Sequence, residues 1–386
     1  MKKFKIFILL LVSALGLYGC GSKQDINELI FISAIGFDKS ENDGFKMIAQ
    51  IVNNNVLVPD PPQITPVVIV TSEGETVLDC LVNLNNLLPN RTYMINLQMV
   101  VFSEEVAKEG INEYMHFFVN FSEAQHEYNV VITKDISAED LMSQISVFSI
   151  FPTRVLINKL KTATDYYGFA RMTFVEEVVN TLRSDYGTLV LSSITAKGDL
   201  EKGKSIDQTK ETDVVSKIEI SDIGVFKDGK LKGWLSKDES VAYNFIHNKI
   251  ERAYMTVDGT KGNKISNLLR MNKSKITVEV KNNQPSVYID IKFNVLVTED
   301  TSLVIEIEKA YEEHVERMIK EKLTKQIEDL IVKGKSYFEF DIFGFSEYFY
   351  KYEPKWYEAN KLFYDEIFKT MPIYVNVIPN IERMDV

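Results

Sequence analysis

The sequence predicts an α+β fold, a multi-domain body of mixed β-sheets flanked by helices behind an N-terminal export segment. Three observations predict it. The 386 residues are 45% hydrophobic and 26% charged, a globular balance in a chain long enough for two or three domains. Apolar residues alternate along the chain between a period of two and a period of 3.6. Tight hairpin turns and crossover-length connections both occur, so parallel and antiparallel pairs should share the sheets.

The first element is Met1-Lys2-Lys3-Phe4-Lys5, followed by an apolar run from Ile6 to Leu17. Positive charge ahead of a run shorter than the roughly 20 residues that span a bilayer is the layout of a signal peptide, here 1–19. Leu17-Tyr18-Gly19-Cys20 resembles a lipobox. That resemblance implies cleavage before Cys20 and attachment of diacylglycerol to its thiol. Two acyl chains, with palmitate the expected kind, hold where one would be marginal. Losing Lys2, Lys3 and Lys5 takes the formal net charge from −11 to −14. Such a body is repelled by anionic headgroups and is expected to stand off the membrane.

In the mature chain, 29–38 and 45–52 read as strands joined by Glu41-Asn42-Asp43-Gly44 in a hairpin. Pro59, Pro61, Pro62 and Pro66 then make a loop before a strand at 67–70. Ser72-Glu73-Gly74-Glu75 has capping-box spacing, which predicts a helix with Val77, Leu78, Leu81, Leu84 and Leu88 on one face. Cys80 belongs to that helix as a small buried hydrophobe. Strands follow at 95–102 and 130–132, with short helices near Val106 and Ile111 between them. Capping-box spacing at Ser137 and Thr173 opens two more helices, and 189–194 closes this half as a strand.

The polar stretch 198–213 is expected as a linker or loop between an N-terminal region, 20–197, and a C-terminal region, 214–386. Strands at 218–226 and 231–235 flank the turn Lys227-Asp228-Gly229-Lys230, and Ser236 caps the next helix. From Val287 to Val297 apolar and polar residues alternate, one face buried and the other wet. A long helix runs to about Lys333, with Val315, Met318, Ile319, Ile327, Leu330 and Ile331 inward and Gly334 as its stop. The chain returns to β at 373–378.

Composition excludes several classes of function. An excess of 55 acids over 44 lysines and arginines weighs against nucleic acid as a partner. Two cysteines, Cys20 and Cys80, cannot frame a disulfide scaffold or an all-cysteine zinc site. Gly198-Asp199-Leu200-Glu201-Lys202-Gly203-Lys204-Ser205 fits the P-loop spacing, but Asp199 and Glu201 would put negative charge in the phosphate cradle. No nucleotide is expected there. His116, His126, His247 and His314 are scattered, and neither a zinc-protease motif nor a nucleophile elbow occurs. No catalytic residue, metal ligand or cofactor is predicted. Between Tyr337 and Phe368, however, stand fourteen aromatics in 32 residues. They serve a core, a partner contact, or both; Tyr350, Trp356 and Tyr357 are the interface candidates, with Tyr350 and Tyr357 expected outward.

The residues resemble one family over essentially the whole mature chain. Its pieces are the exported Cys20, residues 29–38 (LIFISAIGFD), 70–76 (VTSEGET), 106–110 (VAKEG) and 225–233 (VFKDGKLKG) with Glu239 beyond. The ending adds Asp341-Ile342-Phe343-Gly344-Phe345, Pro354-Lys355-Trp356 and Asp365-Glu366-Ile367-Phe368. In this order they resemble the GerAC, or Ger(x)C, lipoproteins, the C subunits of nutrient germinant receptors in endospore-forming bacteria. Gly21 and Ser22 stand where the family often has Trp and Asp, and Tyr364 where a second tryptophan is usual. The resemblance implies a non-catalytic three-domain ectodomain at the spore inner membrane. Its implied partners are an A-type transporter-like subunit and a B-type membrane subunit. The alternative function is a solute-binding lipoprotein that closes two lobes over a ligand for a transporter.

Overall fold

The computed structural model describes residues 29–42, 44–53, 64–121, 127–149, 151–210, 212–213, 215–259, 262–301 and 309–382. The export segment, Cys20, Pro59, Pro61, Pro62 and His126 lie outside the described residues.

The expected hairpin is present: β1 (Ile30–Lys39) pairs antiparallel with β2 (Phe45–Val52), and β3 (Val67–Gly74) adds antiparallel to β2. Because β3 runs on through residue 74, Ser72 caps no helix. It is buried opposite Met47 and donates to the Cys80 carbonyl at 2.8 Å. Helix α1 (Val77–Leu87) starts instead behind Thr76, whose hydroxyl accepts from the Asp79 N–H at 3.1 Å. Cys80 takes the core place expected of Leu78, which faces solvent. Pairing with β2 has overridden the local capping signal.

After β4 (Thr92–Tyr93), only 99–102 of the expected next strand is extended, as β5 (Met99–Phe102); a turn closed by Leu97 N–H to Met94 O breaks the start. Two short helices follow as expected, α2 (Glu104–Glu109) and α3 (Asn112–Asn120), then β6 (Asn129–Thr133). Ser137 caps α4 (Ala138–Met142) through the Asp140 N–H at 2.9 Å. Beyond α5 (Pro152–Asp165), Thr173 does not cap α6 (Val175–Arg183), which begins behind Phe174 without a side-chain cap. Its carbonyl accepts from Val130 and Phe174 bridges to Asn129, so 173–174 are held extended beside β6.

Strand β7 (Val190–Gly198) leads into the polar stretch, which holds α7 (Leu200–Gly203) and a 3-10 turn, Ile206–Lys210. This stretch is seated on the body: Gln208 Nε2 donates to the Gly203 carbonyl at 2.6 Å, and Ile145 N–H to the same carbonyl at 2.9 Å. Strand β8 (Ser216–Lys227) then returns antiparallel to β7, and β9 (Lys230–Leu235) pairs with β8 around left-handed Asp228 and Gly229. The first sheet has the order β3-β2-β1-β5-β6-β7-β8-β9, with β4 beside β1. Its centre, β1, β5, β6 and β7, is parallel and its flanks are antiparallel, the mixture expected. One face buries Phe37, Phe102 and Ile132 under α1, α2, α3 and α6; the other buries Met99, Val101 and Val131 under α4 and α5.

Helix α8 (Lys237–Ile246) opens on a complete capping box between Ser236 and Glu239. Strands β10 (Arg252–Asp258), β11 (Lys264–Lys281) and β12 (Gln284–Asp300) form an antiparallel set. On β12 Val287, Ile289, Ile291, Phe293 and Val295 are buried, the alternation the sequence carries. Helix α9 (Lys309–Lys333) buries Val315, Ile319, Leu323, Ile327, Leu330 and Ile331 against this sheet. Gly334 is not its stop: the chain continues as a π-helical turn, Gly334–Phe338, and ends at Glu339 with φ 60°. A side chain at 334 would meet the Phe343 ring, 3.2 Å from a Cβ there, so packing accounts for that glycine. Three short helices, α10 (Phe345–Tyr352), α11 (Pro354–Asn360) and α12 (Tyr364–Thr370), precede β13 (Ile373–Ile381), which lies parallel to β12. Val190, Ile223 and Val225 of the first sheet share a core with this second layer, so the two sheets are one packed molecule. Among the described residues, no helix is long and apolar enough to cross a membrane.

Candidate functional site

Where the loop after α6 meets the aromatic ending, a cleft of about 640 Å³ opens between one end of the first sheet and the helices that follow α9. Its floor is built by Asp341. This carboxylate accepts from the N–H groups of Phe343 at 3.0 Å and Ser346 at 2.8 Å, and from the Tyr364 hydroxyl at 3.4 Å. It thereby turns the chain through Gly344, at φ 65°, into α10. Burial pushes the Asp341 carboxyl up to about 7, although the two N–H groups and Tyr364 pull the other way.

Four polar contacts cross the cleft's base. Thr188 Oγ1 donates to the Asp341 carbonyl at 2.5 Å, and Gly187 N–H to Ser346 Oγ at 3.3 Å. The Tyr357 hydroxyl donates to the Asp185 carbonyl at 3.0 Å. Lys227, in the β8–β9 turn region, pairs with Asp365 and lies 4.9 Å above the Phe340 ring. The aromatic ending therefore clasps the first sheet.

The fourteen aromatics divide. Phe338, Phe340, Phe343, Phe345, Phe349, Trp356, Tyr357, Tyr364 and Phe368 are buried, Tyr348 is half-buried, and Tyr337, Tyr350, Tyr352 and Phe363 are exposed. Of the three interface candidates only Tyr350 reaches solvent, at 43% exposure, stacked on Tyr186 with centroids 4.4 Å apart. Trp356 is buried against Phe349 at 4.9 Å. Tyr357, expected outward, is 3% exposed; its hydroxyl is spent on Asp185, and burial pushes that hydroxyl up to about 12. The Tyr357 ring meets Tyr350 edge-on, with centroids 6.0 Å apart. Missed from the sequence was the 3-10 turn Lys361–Phe363, which lifts Leu362, 88% exposed, and Phe363, 67% exposed, over the cleft rim. Spacing gave no signal for it, because Phe363 stands seven residues after buried Trp356, as residues on one helix face do.

Other sequence candidates settle elsewhere. At the P-loop-like stretch, the Asp199 carboxylate accepts from the Lys202 N–H at 3.0 Å and so caps α7 itself. Lys204 pairs with Glu201 at 2.6 Å and Asp140 at 2.9 Å. His314 contacts the Asp258 carbonyl at 3.3 Å, His116 is exposed, and the ring of His247 packs tilted against Tyr243 with centroids 4.3 Å apart. Among the described residues no three His, Cys, Asp or Glu side chains gather as a metal site.

Comparison with known proteins places this architecture. Residues 22–196 match a family model described as the spore germination protein N-terminal domain, and residues 221–385 match one described as spore germination B3/GerAC like, C-terminal. Similar proteins include spore germination protein KC of Bacillus subtilis (strain 168), 25% identical over 99% of this chain and 96% of that protein. Spore germination protein B3 of the same organism is 23% identical over 95% of this chain and 94% of its own length. The crystal structure of the GerBC protein shares the fold at a TM-score of 0.55, with 16% identity, over 90% of this chain and 97% of that one.

Proposed function

The chain belongs to the GerAC family of spore germination proteins, and from that membership we propose that it is a lipid-anchored, non-catalytic subunit of a germinant receptor at the spore inner membrane. The observation that carries the reading is the ordered match of both family models along nearly the whole mature chain. Cys20, left at the N-terminus once the signal is cut, carries the anchor. The expected partners are the A-type and B-type integral membrane subunits of the same receptor. Their contact centres on the cleft rim, where Leu362, Phe363 and Tyr350 face solvent above a buried aromatic base. The expected regions 20–197 and 214–386, with 198–213 between them, are kept as stretches of sequence, since β8 and β9 of the second region complete the first sheet. A solute-capturing lipoprotein would need its lobes to swing about a hinge, and the four polar contacts across the cleft base oppose that motion.

Deletion of the gene tests the reading: spores should lose germination in response to at least one nutrient, and complementation should restore it. Complementation by Cys20→Ala should fail, with the variant absent from carbonate-washed membranes. Unimpaired nutrient germination of the deletion strain across a full panel would refute the assignment. Calorimetry with amino acids, sugars and nucleosides separates it from the solute-binding alternative, which requires a saturable ligand.

A further inference from the structure

On a different surface from the cleft, the segment before α5 and the turn after it present rings to solvent. Phe148 is 77% exposed, and Tyr166 and Tyr167 are about half exposed. Tyr254 of β10 joins them, its ring 6.1 Å from that of Tyr167, which lies equally close to Phe169. A shallow groove of about 500 Å³ runs between Phe148, Tyr167, Phe169 and Ile218. Cations edge it. Lys237 lies 4.7 Å over the Phe169 ring and Arg252 5.0 Å over Tyr166. Glu219 bonds Lys197 at 2.9 Å, with Lys237 and Lys159 near enough to add their charge, so one carboxylate answers three lysines. Lys159, Lys161, Lys197, Lys237 and Arg252 stand against Asp165, Glu219 and Glu251, so in a chain of net charge −11 this face keeps a cationic excess.

We propose that this face is the one the body lays against an anionic lipid surface. Rings of tyrosine and phenylalanine settle where hydrocarbon meets headgroups, and lysine and arginine stems cover apolar surface while their charges reach phosphates. The net negative charge does not forbid the contact. At physiological ionic strength charges farther than about 8 Å are screened, so a bilayer senses the facing patch and not the sum. The expectation that the acidic body stands off holds for its other faces. At the cleft rim, by contrast, the acids beside the exposed rings are each matched by a lysine, Asp365 by Lys227, Glu358 by Lys361 and Glu366 by Lys369, a balanced set of charges that a protein partner can pair.

Proximity to the membrane rests on the Cys20 anchor. Residues 20–28 span at most roughly 30 Å, which keeps the body near the bilayer without dictating which side meets it. Surface chemistry makes that choice.

The test uses the processed full chain reconstituted in vesicles that carry quencher-labelled lipid. A polarity-sensitive thiol probe is placed by Thr162→Cys beside the groove, or by Leu362→Cys at the cleft rim. Cys80 is fully buried and stays unlabelled. In vesicles of mixed phosphatidylglycerol and phosphatidylcholine, the probe at 162 should be quenched and blue-shifted, and the probe at 362 should not. Phosphatidylcholine alone, or Lys159→Glu with Lys237→Glu, should lower the quenched population by on the order of tenfold. Phe148→Ser, at an exposed site, should lower it with the melting temperature unchanged. Equal quenching at both positions overturns the proposal. So does quenching at 162 that ignores lipid charge, or that appears only when the integral membrane subunits are present. Failure of the anchor is read separately: an unlipidated wild-type chain would take up the probe at Cys20.

Discussion

Asp341 and His247 make opposite demands on pH. The Asp341 carboxyl titrates near 3.8 when unfolded and is pushed up to about 7 by burial in the fold. Its folded form is favoured most below pH 4, and that advantage is lost as pH rises through 7. Asp341→Asn should therefore flatten the loss of melting temperature between pH 5 and 8. Asp341→Ala also strands the Phe343 and Ser346 N–H groups and should cost about 2–4 kcal/mol in denaturant unfolding. For His247, burial lowers the ring to about 3 from an ordinary 6.5, with the Arg171 charge adding to the effect, and its Nε2 is sealed without a hydrogen-bond partner. Between those values only the unfolded chain takes up the proton, so stability is lost as pH falls below 6.5. His247→Phe, which keeps a ring on Tyr243, should remove that acid-side loss while leaving the alkaline side to Asp341.

Among the elements, the junction of α8 and α9 shows how much one carboxylate can fasten. Glu239 accepts the Ser236 N–H at 2.8 Å, takes Lys333 on both oxygens at 2.9 and 2.8 Å, and Lys333 also donates to the Trp234 carbonyl at 3.0 Å. Burial raises the Glu239 carboxyl, but these partners outweigh it and leave it lowered, so the clasp is lost only in acid. Glu239→Gln should cost about 1–2 kcal/mol at neutral pH, and the cost should shrink in acid where the wild-type clasp is itself undone. This cap was legible because Ser236 and Glu239 sit next to the helix they start. The alternation of β12 and the β8–β9 turn were legible for the same local reason. Ser72 and Thr173 carried equally good spacing and capped nothing, because β2 and β6 hold them extended from a distance that a linear pattern does not encode. The exposure of Leu362 and Phe363 was hidden similarly, behind a count of aromatics that said nothing of which way each faced.

For the whole molecule, the proposed reading gives the cleft rim and the groove beside α5 two kinds of neighbour. Leu362→Ser with Phe363→Ser should abolish co-purification with the membrane subunits, yet shift stability by only about 0.5 kcal/mol, since neither side chain is buried. Retained co-purification would remove the rim from the contact. The route of the chain through the first sheet has an evolutionary consequence. Strands β8 and β9, which complete that sheet, come from beyond the polar stretch, and β8 pairs with β7 from Gly198 back to Val190. A chimaera spliced from two paralogues near residue 200 would have to zip a strand of one parent onto a strand of the other. Crossovers there should yield insoluble products, so the two halves of the gene are expected to travel through descent as one linked unit.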